Sequence, residues 1–170
     1  EYRARLVTPY ADAWRAFSPG PAFAVPGPTP DGQPAQPPYV LAVPGNHDWN
    51  TDRAQAYLEY FTLPGNERYY DFTWGAVHFF ALDSDSREPD GINRSSAQAA
   101  WLQAQLAAST SPWNVVYLHH APYSSGRHGA TDWAQWPYKE WGADVVLAGH
   151  DHTYERLLVD DLLYFVNGVG

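Results

Sequence analysis

The sequence predicts an α/β protein built on a mixed sheet, and three observations carry that prediction. From residue 39 onward, short apolar runs of strand length alternate with longer stretches of helical periodicity. Two pairs of adjacent β-prone runs, one mid-chain and one at the end, read as hairpins and add antiparallel pairs to the sheet. Three apolar runs end directly in His- or Asn-bearing loops, as in open α/β sheets whose strand ends carry a site. The 170 residues, 45% of them hydrophobic, are enough for one domain with its own core.

The elements follow in order. Residues 1–17 have spaced apolar and aromatic positions and predict a helix interrupted at Pro9. Residues 18–38 are rich in Pro and Gly with few hydrophobic anchors, which predicts a surface loop. Residues 1–38 thus form an N-terminal helix and loop, and 39–170 the main domain. Tyr39–Val43 is expected as a strand running into Pro44-Gly45, and Thr51–Phe61 as a helix capped by Asn50 or Thr51. Tyr69–Trp74 and Ala76–Leu82 read as strands joined by a tight turn at Gly75. Ser95–Ser109 is the clearest helix, capped by Ser95 or Ser96, with Trp101, Leu102 and Leu106 facing the core. Val115–Leu118 and Val145–Ala148 are short buried strands. Tyr154–Val159 and Leu162–Val166 form a final hairpin turning at Asp160-Asp161. No internal repeat is evident.

Composition narrows the function. The formal charge is −9 and the 10 basic residues are scattered, which argues against a nucleic-acid backbone as partner. No run approaches the roughly 18 apolar residues of a membrane helix. The absence of Cys excludes disulfides, thiolate ligands and a Cys nucleophile. With no Met and Glu1 in first position, the chain is expected to be processed, truncated or part of a longer polypeptide. Its 15 Pro, 8 Trp and 12 Tyr suit a stiff, loop-rich secreted or periplasmic protein.

The chemistry concentrates at Asn46-His47-Asp48, His119-His120 and His150-Asp151-His152, each directly after an apolar run. In an extended segment side chains alternate, so His150 and His152 are expected on one side, where they bind two neighbouring metals or chelate one. Neutral imidazole suits Zn, Fe or Mn rather than Ca or Mg alone. The bland alternative is a set of surface histidines in turns, and three such clusters at three strand ends weigh against it. Asp83 and Asp85 also follow a strand end and are expected as solvated turn residues, with an approach to the site as the alternative. Trp133, Trp136, Tyr138 and Trp141 read as a helix and loop packed on the core, with a carbohydrate- or surface-binding patch as the alternative. Asn93-Arg94-Ser95 has the form of a glycosylation sequon.

Gly45-Asn46-His47-Asp48, then His120-Ala121-Pro122, then Gly149-His150-Asp151-His152 resemble, in order and spacing, the last three motifs of calcineurin-like metallophosphoesterases. Thr153-Tyr154-Glu155-Arg156 and Tyr164-Phe165-Val166-Asn167-Gly168 resemble the purple acid phosphatase branch. The resemblance implies a four-layer αββα sandwich and hydrolysis of phosphate mono- or diesters. It also implies two divalent or trivalent ions, Fe, Zn or Mn, and a metal-bound hydroxide as nucleophile. It assigns Asn46 and His150 to one ion and His152 to the other. His120 is expected as a further ligand, with His119 the alternative. It places His47 beside the substrate as a catalytic group, Asp48 as the partner that orients it, and His128 as a second substrate-side histidine.

The match has a gap. The family's first two motifs, an Asp-x-His or Asp-x-Gly and a Gly-Asp, belong before Gly45, where Asp12 and Asp31 are the only aspartates. The purple acid branch also carries a Gly-Asp-x-x-Tyr that is absent here. The chain is therefore expected to lack the first βαβ portion, the bridging carboxylate and sheet strands. A separate segment or second chain would then complete the site, or the polypeptide would be a weak enzyme or a metal-binding remnant.

Overall fold

The computed structural model describes residues 40–169. The expected helix over 1–17, the loop over 18–38 and the boundary at 38/39 lie outside the described residues, as do Asp12 and Asp31. The compact unit that begins at Ala42 is built on one six-stranded mixed sheet. The strands are β1 (Tyr70–Trp74), β2 (Val77–Leu82), β3 (Trp113–Leu118), β4 (Val145–Ala148), β5 (Tyr154–Val159) and β6 (Leu162–Asn167). Their order is β1-β2-β3-β4-β6-β5. β2, β3, β4 and β6 run parallel; β1 and β5 are antiparallel flanks. The predicted loss of strands does not interrupt this ladder. No second sheet of the αββα sandwich lies among the described residues.

Both hairpins arise from local turn chemistry. Gly75 (φ 58) turns β1 into β2, and Asp160 and Asp161 (φ 49 and 58) take the left-handed conformations that a two-residue hairpin turn requires. The long helix α3 (Ala97–Ala108) begins at Ser96, whose Oγ accepts the Ala99 amide at 3.1 Å. Its Ala99, Leu102 and Leu106 belong to one core with Phe80, Leu82, Val116, Leu118, Val146 and Tyr164. These sheet residues share one face by strand register. Leu102 is fully buried, worth roughly 2 kcal/mol in transfer free energy. The other face carries Trp74, Trp113, Leu147, Tyr154 and Leu158, all exposed.

Two predicted elements differ. Residues 40–43 form no strand: the Ala42 carbonyl accepts the hydroxyls of Tyr57 (2.8 Å) and Tyr70 (2.7 Å) instead of a neighbouring amide. The helix expected over Thr51–Phe61 is shortened to α2 (Gln55–Tyr60). The preceding motif forms its own one-turn helix, α1 (Asn46–Trp49). The chain then reverses through Asp52, Arg53 and Ala54, all at positive φ, which consumes the residues expected to start the helix. A last short helix, α4 (Tyr138–Trp141), follows a 3₁₀ turn at Asp132–Ala134. Trp136 and Tyr138 are buried while Trp133 is exposed, so most of this aromatic cluster is core. That disposition weighs against an exposed carbohydrate platform.

Candidate metal centre

Strand register assembles the site. Leu118 pairs with Ala148 at the carboxyl ends of β3 and β4, so His119-His120 and Gly149-His150 leave the sheet side by side. The Gly149 amide donates to the His119 carbonyl at 3.0 Å, tying the two loops together. Leu82 pairs with Leu118, which brings the residues after β2 against His120. Asn46 arrives at the head of α1.

Four donor groups converge. His119 Nε2 lies 2.9 Å from Asn46 Oδ1 and 3.0 Å from His150 Nδ1. The His120 ring centroid is 4.8 Å from that of His119 and 4.5 Å from that of His150. His119, His120 and His150 each present one ligand atom, all within 4.8 Å of one another. Gly45 permits the arrangement: a Cβ there would stand 2.8 Å from His119 Nδ1.

Electrostatics keep these rings neutral. Burial, reinforced by the charges that neighbouring His120, His150 and His47 would carry, pushes His119 down to about 3. Burial and His150 lower His120 to about 4. Burial, then His128, lowers His150 as well. Neutral imidazole nitrogens are the form that ligates a metal. Metal–ligand bonds of about 2.0–2.1 Å put adjacent ligand atoms roughly 2.8–3.4 Å apart, from octahedral to tetrahedral geometry. The separations of 2.9 and 3.0 Å around His119 match such an edge. The donor set therefore fits a transition-metal ion.

The other expected residues divide. The His128 ring lies 4.3 Å from that of His150, so this loop histidine does reach the cluster. Its loop is held by Asp151, which accepts the His128 amide at 2.7 Å and Ser124 Oγ at 2.6 Å. Burial pushes the Asp151 carboxyl up, but these hydrogen bonds outweigh it and hold it below the ordinary value. His47 is exposed at the rim, near enough for its charge to bear on His119 and His150. Asp48 accepts the Gly45 amide at 2.7 Å and so closes the first turn of α1.

His150 and His152 do not share a side through strand alternation, because their segment is not extended. His150 has φ 65, and the Asp151 and Thr153 amides donate to carbonyls two residues back. His150 is half-buried in the cluster; His152 is exposed and outside the group of three. His120, the expected ligand, and His119, its alternative, both enter the cluster.

The expectation for Asp83 and Asp85 is overturned, since they are only 1% and 3% exposed. Asp83 accepts the Trp49 indole at 2.9 Å and the Asp85 amide at 2.9 Å. Burial, with Glu88 nearby, pushes its carboxyl up to about 8. Burial raises Asp85, but its bonds to Arg87 prevail and hold it below the usual range. Ser84, which sequence reasoning missed, lies 2.9 Å from His120 Nδ1. Its position straight after a strand that neighbours the histidine-bearing strand was the available signal.

The mixed sheet thus carries three histidines after its parallel strand ends, with Asn46 beside them at the head of a helix. The sequence profile of the calcineurin-like phosphoesterases matches residues 22–154, and the chain belongs to that family. It is 29% identical over 136 residues to purple acid phosphatase 15 of Arabidopsis thaliana, covering 69% of this chain and 25% of that protein. The chain thus spans about a quarter of that relative's length. Among solved structures it resembles a purple acid phosphatase, PPD1, from yellow lupin seeds. That match has TM-score 0.54 and 17% identity, over 71% of this chain and 27% of the lupin chain. GAP50, titled the anchor in the inner membrane complex of Plasmodium, aligns with TM-score 0.55 and 21% identity, over 74% of this chain and 47% of that chain. Both likenesses concern the fold. No helix among the described residues is long and apolar enough to cross a membrane.

Proposed function

We propose that this chain carries the metal-binding part of a hydrolase that cleaves phosphate esters. The observation that supports this most directly is the convergence of Asn46, His119, His120 and His150, three of them neutral histidines, at the strand ends. Asn46, His120 and His150 hold one ion in this reading, with His119 as a fourth donor. His152, at the exposed end of the same loop, serves a second ion. Bound ions supply Lewis-acid polarisation of the phosphoryl group and lower the pKa of water to make it a nucleophile. His47, exposed beside the cluster, is the proton donor to the leaving oxygen in this reading. Asp48 acts through α1 by fixing the turn that presents Asn46 and His47. His128, whose loop is pinned by Asp151 and whose ring meets His150, serves in this reading as a hydrogen-bond donor to the phosphoryl oxygens. The composition suits a secreted or periplasmic setting.

Release of p-nitrophenol from p-nitrophenyl phosphate and its bis-ester tests the proposal, with the chain reconstituted separately with Zn, Mn and Fe. Metal-dependent release, lost in His120→Ala, is the expected result; none with any metal or ester would overturn it. One observation favours a second reading, metal binding without catalysis. Among the described residues, the cluster of ligand-type groups contains no carboxylate. Tight metal uptake with no hydrolysis of either ester would select it.

A further inference from the structure

The loop after β2 touches two of the proposed ligands from behind. Ser84 is 4% exposed. Its Oγ accepts the backbone amide of His120 at 2.9 Å and meets Nδ1 of the same residue at 2.9 Å. A hydroxyl oxygen has two acceptor lone pairs. The two contacts fix the His120 backbone and ring plane together, and with Nδ1–H as the donor to Ser84 the ring keeps its free lone pair on Nε2. Three residues on, the Arg87 guanidinium is gripped by both oxygens of Asp85, at 2.6 and 2.9 Å. It also donates to the Asn46 carbonyl and to Asn50 Oδ1, each at 2.9 Å.

The loop itself is bolted down. Gln98 of α3 accepts the Asp83 amide (2.8 Å) and donates to the Asp83 carbonyl (2.9 Å), which extends the β2 backbone pairing by one residue. The Trp49 indole holds the Asp83 carboxyl, and the Trp133 indole donates to the Ser84 carbonyl at 3.1 Å. A rigid base of this kind transmits position: Ser84 cannot move without breaking buried hydrogen bonds, and Arg87 is anchored by its two bonds to the buried Asp85 carboxylate.

We propose that Ser84 and Arg87 are positioning residues for the metal centre: Ser84 sets the tautomer and orientation of His120, and Arg87 sets the backbone carrying Asn46. The proposal rests on the metal-binding reading above. Outer partners of metal-bound histidines are typically worth about 10–100-fold in metal affinity. Two residues that each hold a different ligand should weaken binding independently.

The test is Zn2+ affinity by chelator competition, with nitrogen-detected NMR of the His120 imidazole, on wild type, Ser84→Ala, Ser84→Thr, Arg87→Gln and Ser109→Ala. Ser109 is bonded to His78 and Asn114, away from the cluster, and serves as a control for general loss of packing. Ser84→Ala is expected to weaken Zn2+ about 10–100-fold and to lose the protected Nδ1–H signal of His120. Ser84→Thr should retain both, and Ser109→Ala should change neither. Arg87 is exposed, so Arg87→Gln is expected to fold and to weaken binding about 10-fold without altering the His120 signal. Wild-type affinity and an unchanged His120 spectrum in Ser84→Ala and Arg87→Gln overturn the positioning role while the metal site stands. Absence of Zn2+ binding by the wild type overturns both.

Discussion

Replacing His119 by Gln should make the metal-free protein resist acid better than the wild type. His119 is held neutral, with its pKa pushed down to about 3 by burial and by the neighbouring His120, His150 and His47. In the unfolded chain it takes up a proton near pH 6.5. The unfolded state therefore binds the extra proton between roughly pH 6.5 and pH 3, and folding stability falls as pH drops through that window. Above pH 6.5 the penalty is absent. At pH 5, where the folded ring is still neutral, it amounts to about 2 kcal/mol, from 1.5 pH units at about 1.36 kcal/mol each. Gln carries no proton, so the stability difference between variant and wild type should move by roughly 2 kcal/mol in favour of the variant from pH 8 to pH 5. Urea unfolding at both pH values, with chelator present, reads this directly. Asp83, raised to about 8, has the opposite slope, but it is in both proteins and cancels. A difference that is the same at pH 5 and pH 8 would refute the claim that the fold holds His119 neutral.

Asp83 supports a converse prediction. Its carboxyl is raised by burial and by Glu88, so the folded state holds a proton that the unfolded chain releases above pH 3.8. Stability is lost as pH rises toward 8, and Asp83→Asn should gain on the order of 3 kcal/mol relative to wild type between pH 4 and pH 7. Urea midpoints at the two pH values check it; a variant equally destabilised at both would contradict it. Gly45→Ala should leave most of the fold intact but weaken Zn2+ binding by at least about 10-fold, because its Cβ would displace the His119 ring. Calorimetric titration with Zn2+ measures this, and unchanged affinity would mean that His119 is not a donor.

Local chemistry was the legible part of the fold. Ser96 caps its helix through a bond to the Ala99 amide, and Gly75 and Asp160-Asp161 turn their hairpins, because each depends on residues within a few positions. The two site-bearing strand ends, after β3 and β4, were legible for a related reason: an apolar run followed by His needs no long-range information to be recognised. What failed depends on tertiary partners. Tyr39–Val43 has strand composition, yet the Ala42 carbonyl is claimed by two tyrosine hydroxyls from distant segments. The assumed extension of His150-Asp151-His152 fails because His150 adopts φ 65, a conformation no periodicity announces. Asp83 and Asp85 have the composition of a solvated turn. Their burial comes from Trp49, Gln98 and Arg87, which sequence places 34, 15 and 2 residues away. His119 and His120 alternate in sequence but meet at one cluster, since the chain leaves β3 at that point and strand alternation ends with it.

The most direct test is metal content by elemental analysis after reconstitution with Zn, Mn or Fe and exhaustive dialysis, comparing wild type with His120→Ala/His150→Ala. At least one ion retained per wild-type chain, and loss of that ion in the double variant, is the expected result. No retained ion in the wild type, or equal retention in both proteins, would contradict the assignment of Asn46, His119, His120 and His150 as a metal centre.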